Sequence, residues 1–284
     1  MGERELLTWR CGEATIDCGV RTLVMGVLNV TPDSFSDGGR FFDREVAVTH
    51  GLRMVDDGAD VVDVGGESTR PGSDPVSEAG ELDRVIPVIE TLASRIPVPM
   101  SIDTRKAAVA KAGLAAGATI VNDISGGRDP EMFEVVRAAG AGMVLMHIQG
   151  EPKTMQVEPH YDDVVTEVKE YLAQRIEAAV FAGVVPEQLA VDPGIGFGKN
   201  LDHNLTLMRH IDSLRDLGRP ILVGPSRKRF IGTLLDLPEE QRVEGTAGAV
   251  AWLVTRGAHM VRVHDVREMV RVVRVLDAIA RAGR

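Results

Sequence analysis

Residues 54–72 read MVDDGADVVDVGGESTRPG, and this stretch holds one complete structural unit. Ala47, Gly51, Met54 and Val55 recur on one helical face, so a helix with an apolar stripe is expected to arrive at this point. Gly58-Ala59 follows, its glycine suited to a left-handed helix C-cap. Val61 to Val64 is then an aliphatic run of strand length that carries Asp63 and opens into a loop of glycines and hydroxyls, Gly65 to Gly72. The pair between helix and strand recurs at Gly117-Ala118, Gly140-Ala141 and Gly257-Ala258.

Working outward, eight strands are expected: Leu23 to Leu28, Val61 to Val64, Pro99 to Ile102, Thr119 to Asn122, Gly142 to His147, Leu189 to Asp192, Ile221 to Gly224 and Met260 to Val263. Helical spacings lie between them, for example Val165, Val168, Leu172, Ile176 and Val180. Strand and helix in alternation predict the α/β class. Eight such units favour a (β/α)8 TIM barrel over an open doubly wound sheet, with Ala14 to Cys18 in a short N-terminal β-hairpin extension. No linker, charge block or low-complexity tract interrupts residues 1–284, so one domain is expected.

The composition is 44% hydrophobic but 4% aromatic, which points to an aliphatic core. A formal charge of -10 argues against nucleic acid and anionic membranes as partners. No apolar run reaches the roughly 20 residues a bilayer demands, and the first residues lack a signal-peptide core, so a cytoplasmic location is expected. Cys11 and Cys18, the two cysteines, have no further Cys or His ligands beside them and read as reduced thiols.

Nearly every expected strand ends in a polar cluster: Asn29, Asp63, Asp103, Asn122-Asp123, His147, Asp192, Ser226-Arg227-Lys228 and Arg262-Val263-His264. In a barrel these ends share one mouth, where active sites lie. The loop from Asn29 to Gly39 has oxygen donors, Phe35 and a glycine pair, which suits a lid; Asn29 could offer its carbonyl oxygen to Mg2+, and the same sequence also suits a turn. Gly65 to Gly72 could approach an anion with its backbone amides, but it lacks the ending of a P-loop. Ser226-Arg227-Lys228-Arg229, with Arg262 and His264 on one face of the last strand, reads as an anion site in an acidic protein. Asp103, Asn122 and Asp192 form a row suited to an aminopyrimidinone edge, with Lys228 addressing the remaining ring positions. Met146 and Phe197 fit either the apolar walls of that pocket or the core.

Taken in order, these motifs resemble the dihydropteroate synthase family over nearly the whole chain. The residues that carry the resemblance are Met25 to Gly39, Asp63 to Gly72, Ser101 to Thr104, Asn122 to Gly127, Met146 to Gly150, Asp192 to Lys199, Ser226 to Lys228 and Arg262 to His264. The resemblance implies condensation of 6-hydroxymethyl-7,8-dihydropterin diphosphate with p-aminobenzoate in folate biosynthesis, inhibition by sulfonamides, a homodimer formed through outer helices, and Mg2+ as cofactor. It implies pterin contacts from Asp103, Asn122, Met146, Asp192, Phe197 and Lys228. Diphosphate contacts would come from Asn29, Thr69, Arg70, Arg262 and His264, with Asn29 also on the metal. Phe35, Pro71 and Lys228 would shape the p-aminobenzoate pocket. Asp103, Asn29, Lys228, Arg262 and His264 would carry catalysis. One departure stands out: many relatives have serine where this chain has Arg229, which leaves two readings of that side chain, on the aminobenzoate carboxylate or in solvent.

A dissociative reaction is expected, because the leaving group sits on a methylene conjugated to an electron-rich ring. No residue is required as a strong general base. The competing readings are a pterin-dependent methyltransferase, a silent pterin-binding paralogue and a generic phosphate-binding barrel lyase or isomerase. The basic cluster disfavours the first two, and the lack of a strand-end lysine on the first six strands disfavours an aldol-type member of the third.

Overall fold

The computed structural model describes residues 5–31, 39–69 and 72–282, the side chains at 39–43 excepted. An antiparallel hairpin comes first, β1 (Leu7–Cys11) and β2 (Ala14–Cys18). Eight parallel strands follow: β3 (Leu23–Asn29), β4 (Val61–Gly65), β5 (Met100–Asp103), β6 (Ile120–Asp123), β7 (Gly142–Met146), β8 (Leu189–Asp192), β9 (Leu222–Val223) and β10 (Met260–Val263). Their bonded order is β8-β7-β6-β5-β4-β3-β10-β9, and a parallel bridge between Val191 and Ile221 joins the two ends of the sheet. The result is the expected (β/α)8 barrel with its hairpin.

Six of the eight barrel strands differ from expectation by one residue at one or both ends, and a proline stands just before two of them. Pro99 and Pro220 lack an N–H, so each lends only its carbonyl, to Val62 and Val191 respectively, and the ladder begins beyond it. In the seventh barrel strand the Ile221 N–H goes to the His259 imidazole at 3.0 Å, and the strand is confined to Leu222–Val223, with Pro225 close behind.

The helices are α1 (Gly39–Asp56), α2 (Glu78–Ala93), α3 (Ala107–Ala115), α4 (Met132–Ala139), α5 (Val164–Phe181), α6 (Leu201–Arg209), α7 (Arg229–Leu235), α8 (Val243–Thr255) and α9 (Val266–Arg281). One more is present than eight units require. The unit after β9 holds two, because a left-handed residue, Asp236, stops α7 after two turns. On α5 the expected stripe drifts: Val168 and Leu172 are buried, but Ala179 takes the third place and Val180 faces solvent. At 3.6 residues per turn, Ala179 lies nearer the line through Val168 and Leu172 than Val180 does.

Side chains along each strand alternate between helices and lumen. Leu23, Met25, Val61, Ile120, Val144, Ala190, Leu222 and Met260 form one apolar layer around the lumen, capped by Trp9, Cys11 and Cys18 from the hairpin. Trp9 is wholly buried and donates its indole N–H to the Gln188 carbonyl at 2.8 Å. Gln188 in turn donates to the Ala141 carbonyl at 2.6 Å, so polar atoms at this end are bonded as they are buried. Burial pushes the Cys18 thiol up to about 12 and Cys11 in the same direction, which leaves both as inert packing groups. Two residues beyond Val61, Ile120, Ala190 and Met260, on the same face, come Asp63, Asn122, Asp192 and Arg262, with Asp103 in register beside Asn122. The lumen is therefore apolar at one end and ionic at the other.

Candidate active site

Arg262, on β10, ties the floor of the site together. Its Nε donates to Asp63 Oδ2 and its Nη2 to Asp103 Oδ2, both at 2.6 Å. Asn122 Nδ2 donates to the same Asp63 oxygen at 3.0 Å. Four strands, β10, β4, β5 and β6, thus converge through one guanidinium. Burial works against the Arg262 charge, but Asp63 and Asp103 outweigh it and hold its pKa above the ordinary arginine value. Asp103 moves upward, because burial and then the neighbouring carboxylates overcome the pull of Arg262. Asp63 Oδ1 and, in register with it on β5, Ser101 Oγ are buried without a hydrogen-bond partner.

Asp192 closes the row. Its Oδ1 accepts the Gly194 N–H at 2.7 Å, and burial raises its pKa against the opposing field of Lys228. The chain from Asp192 must turn back sharply over the β7 loop. A side chain at Gly194, where φ is +67°, would place its Cβ 1.9 Å from the His147 carbonyl oxygen, so only glycine fits. Lys228 crosses from the other side: it caps α7, donates to the Ile195 carbonyl and lies 4.6 Å from the centre of the Phe197 ring. Burial lowers its pKa to about 8, with Asp192 pulling the other way. Met146 is buried with Ile124, Ile148 and Met155, and Phe197 packs against that cluster, so both residues are wall and core at once.

The anion side is more divided than the sequence suggests. Asn29 and His264 line one cleft of about 470 Å³, together with His50, Arg227 and Asp265. Ser226 orients His264, with its Oγ 3.0 Å from Nδ1 and accepting the His264 backbone N–H at 3.2 Å. Arg227 adopts a left-handed backbone, φ +57°, and pairs with Asp265, so its charge is neutralised beside the cleft while the next residue, Lys228, enters the ring pocket. Thr69 is half-buried in the second loop, whose neighbour Glu67 is held by Arg105 and Lys106 and whose Gly66 carbonyl accepts from Arg84 at 2.7 Å. Phe35, Arg70 and Pro71 lie outside the described residues, as does most of the first lid. No three His, Cys, Asp or Glu side chains group as a metal cage among the described residues.

Residues 25–264 match the family described as pterin binding enzyme. The dihydropteroate synthase of Synechocystis sp. is 47% identical over 272 residues, 95% of this chain and 94% of the relative. This chain belongs to the dihydropteroate synthases. A Yersinia pestis dihydropteroate synthase solved with a sulfonamide drug superposes with a TM-score of 0.92 at 45% identity, covering 97% of this chain and 100% of that one. A Xanthomonas albilineans dihydropteroate synthase with 4-aminobenzoic acid gives 0.92 at 44% identity over 98% and 100%.

Four side chains of this dihydropteroate synthase carry more of the geometry than the sequence reading gave them. Asp63 appears there only as a strand end, yet it is the shared acceptor for Arg262 and Asn122. Its place two residues after Val61, on the lumen face, is the signal that could have found it. Ser226 is quoted there only within a motif, and its role on His264 has no local signature. His147 and Lys199 form a buried contact, Nδ1 to Nζ at 2.9 Å, across 52 positions of sequence.

Proposed function

We propose that this dihydropteroate synthase joins the methylene of 6-hydroxymethyl-7,8-dihydropterin diphosphate to the amine of p-aminobenzoate, releasing diphosphate and forming 7,8-dihydropteroate. The observation that supports this reading is Arg262 bonded to both Asp63 and Asp103, so that a cation from the last strand stands within the carboxylate row.

In this reading the pterin lies across the barrel mouth. Asp192 accepts from the ring N–H and exocyclic amine, Asn122 and Lys228 address the other ring positions, and Met146 and Phe197 bound the faces. The methylene C–O bond breaks first, its electron pair leaving with diphosphate. Asp103 stabilises the cation left on the ring, and its own position is fixed by Arg262. His264, oriented by Ser226, addresses the departing diphosphate together with Arg262, Thr69 and Arg70. Phe35 and Pro71 complete the p-aminobenzoate pocket with Lys228 and exclude water, so that the neutral aniline nitrogen and not a hydroxide meets the cation. The new C–N bond takes the amine lone pair, and the proton then released goes to solvent.

Mg2+ would fit the donor set in one way: Asn29, at the cleft, would offer a neutral carbonyl oxygen, a donor of the kind a hard cation shares with substrate phosphates. When bound, the ion neutralises charge on the leaving diphosphate.

A homodimer is proposed through α6, α7 and α8, where Leu205, Leu234, Leu235 and Trp252 are exposed around a shallow apolar cleft of about 350 Å³. A cytoplasmic setting is proposed with it; among the described residues no helix is long and apolar enough to cross a membrane.

The test is to mix the purified protein with the dihydropterin diphosphate, p-aminobenzoate and Mg2+ and to follow dihydropteroate and diphosphate. Formation of both in equal amounts is expected. Pterin binding without turnover would refute the reaction, and an Asp103→Asn variant working at full rate would refute the role of that carboxylate. A sulfonamide is expected to compete with p-aminobenzoate and not with the pterin.

A further inference from the structure

Lys199 is buried at 2% exposure, an unusual place for an ammonium group. All three of its bonds go to neutral acceptors: the Gly194 carbonyl at 3.0 Å, the Phe197 carbonyl at 2.9 Å and His147 Nδ1 at 2.9 Å. Two of these belong to the loop between β8 and α6, and the third belongs to the loop after β7. That β8 loop is the part of the chain whose Ile195 carbonyl receives Lys228 and whose Phe197 ring lies under the Lys228 amine. Its far end is anchored separately, by Asn204, which accepts from Gly196 N at 2.6 Å and donates to the Lys199 carbonyl at 3.2 Å.

We propose that Lys199 is a positioning residue: its amine clamps the loop 193–199 against the β7 loop and thereby sets where the Ile195 carbonyl and the Phe197 ring stand in the pterin pocket. The proposal rests on the reading of the barrel mouth as that pocket. The clamp acts through Lys228 and Phe197. It bears directly on the ring-binding half of the site, and on the p-aminobenzoate half only through the Lys228 amine.

Burial lowers the Lys199 pKa to about 7, so holding a proton there costs free energy, and Met in its place would leave the Gly194, Phe197 and His147 acceptors without their donor. Burial and then the Lys199 charge hold His147 far below its ordinary range, down to about 2, so the imidazole is neutral and can accept. An amine held in place by bonds to two loops at once fixes the geometry beneath the ligand pocket.

The experiment compares wild type with Lys199→Met and Lys199→Gln in full-length protein. It measures melting temperature, affinity for 6-hydroxymethylpterin alone, and separate KM values for the dihydropterin diphosphate and p-aminobenzoate. Expected for Lys199→Met is a lower melting temperature and a pterin KM raised about tenfold or more, with the p-aminobenzoate KM raised several-fold less than the pterin KM. Lys199→Gln, which keeps a donor amide, is expected to fall between Met and wild type. Unchanged pterin affinity in both variants overturns the clamp. So does a fall in melting temperature that accompanies equal losses for both substrates, because that is the signature of a structural residue. If Lys199→Met fails to fold, the ratio of the two KM values in Lys199→Gln decides alone, with an unchanged ratio counting against the proposal. Wild-type protein that binds no pterin would instead sink the reading of the pocket itself.

Discussion

The two ends of the lumen are built from the same strands, on the same face, two residues apart, and they do opposite things. At one end Val61, Ile120, Ala190 and Met260 meet Trp9 in an apolar layer. At the other, Asp63, Asp103, Asn122 and Arg262 exchange charged hydrogen bonds, with Asp192 beside them. Height along the strand, not strand identity, separates support from chemistry. The apolar end gains stability from each group it buries. The ionic end holds carboxylates that burial drives towards their protonated forms, a state tolerable only because Arg262 is there.

The strongest way to break this contrast is Arg262→Met. It leaves Asp63 and Asp103 buried without their cation, and a loss of about 3–5 kcal/mol in denaturant unfolding is expected. Turnover should fall by about a thousandfold or more in the same variant. Trp9→Ala attacks the other end: a comparable loss of about 3–5 kcal/mol is expected with kcat almost unchanged, and a matching fall in kcat would show that the ends are not separable.

A pH titration of pterin binding sharpens the contrast. Asp192 has a raised pKa and binds the ring as a carboxylate, so affinity should rise with pH through a limb that lies above the ordinary value of 3.8. Lys228 loses its proton at about 8, so affinity should fall again as pH passes that value. Lys228→Met should abolish the alkaline limb and leave the acid one. The raised Asp192 pKa also carries a stability sign: the native state holds that proton more tightly than the unfolded chain, so the group favours folding below the unfolded pKa, and that contribution is lost as pH rises through the folded one. The smallest effect is expected at Ser226→Ala, where His264 loses an orienting partner worth about 1 kcal/mol, read as a few-fold loss of kcat with unchanged pterin affinity.

The barrel was legible because its signals are local. Short aliphatic runs, Gly-Ala helix ends and polar strand ends each occupy a few adjacent residues, while six of the eight strands end or begin one residue away from expectation, because ladder pairing is set by neighbouring strands and not by local sequence. The second helix after β9 was missed, although Asp236 followed by Pro238 is a local signal for a helix stop there. The polar row at Asp103, Asn122, Asp192 and Lys228 was legible for the same local reason. The partner that Arg262 chooses was not, since Asp63 lies 199 positions away and spacing carries no information about that pairing. Lys199 escaped likewise, its acceptor His147 being brought near only by two neighbouring strands.

The indole of Trp9 waits for a seat that the chain supplies 179 positions later, at Gln188. On a ribosome adding about 5–20 residues per second, the opening hairpin would spend on the order of ten to thirty seconds with its tryptophan unhoused. Sealing the barrel floor is therefore a late event in the life of each new molecule, and that interval is when a chaperone would have most to cover.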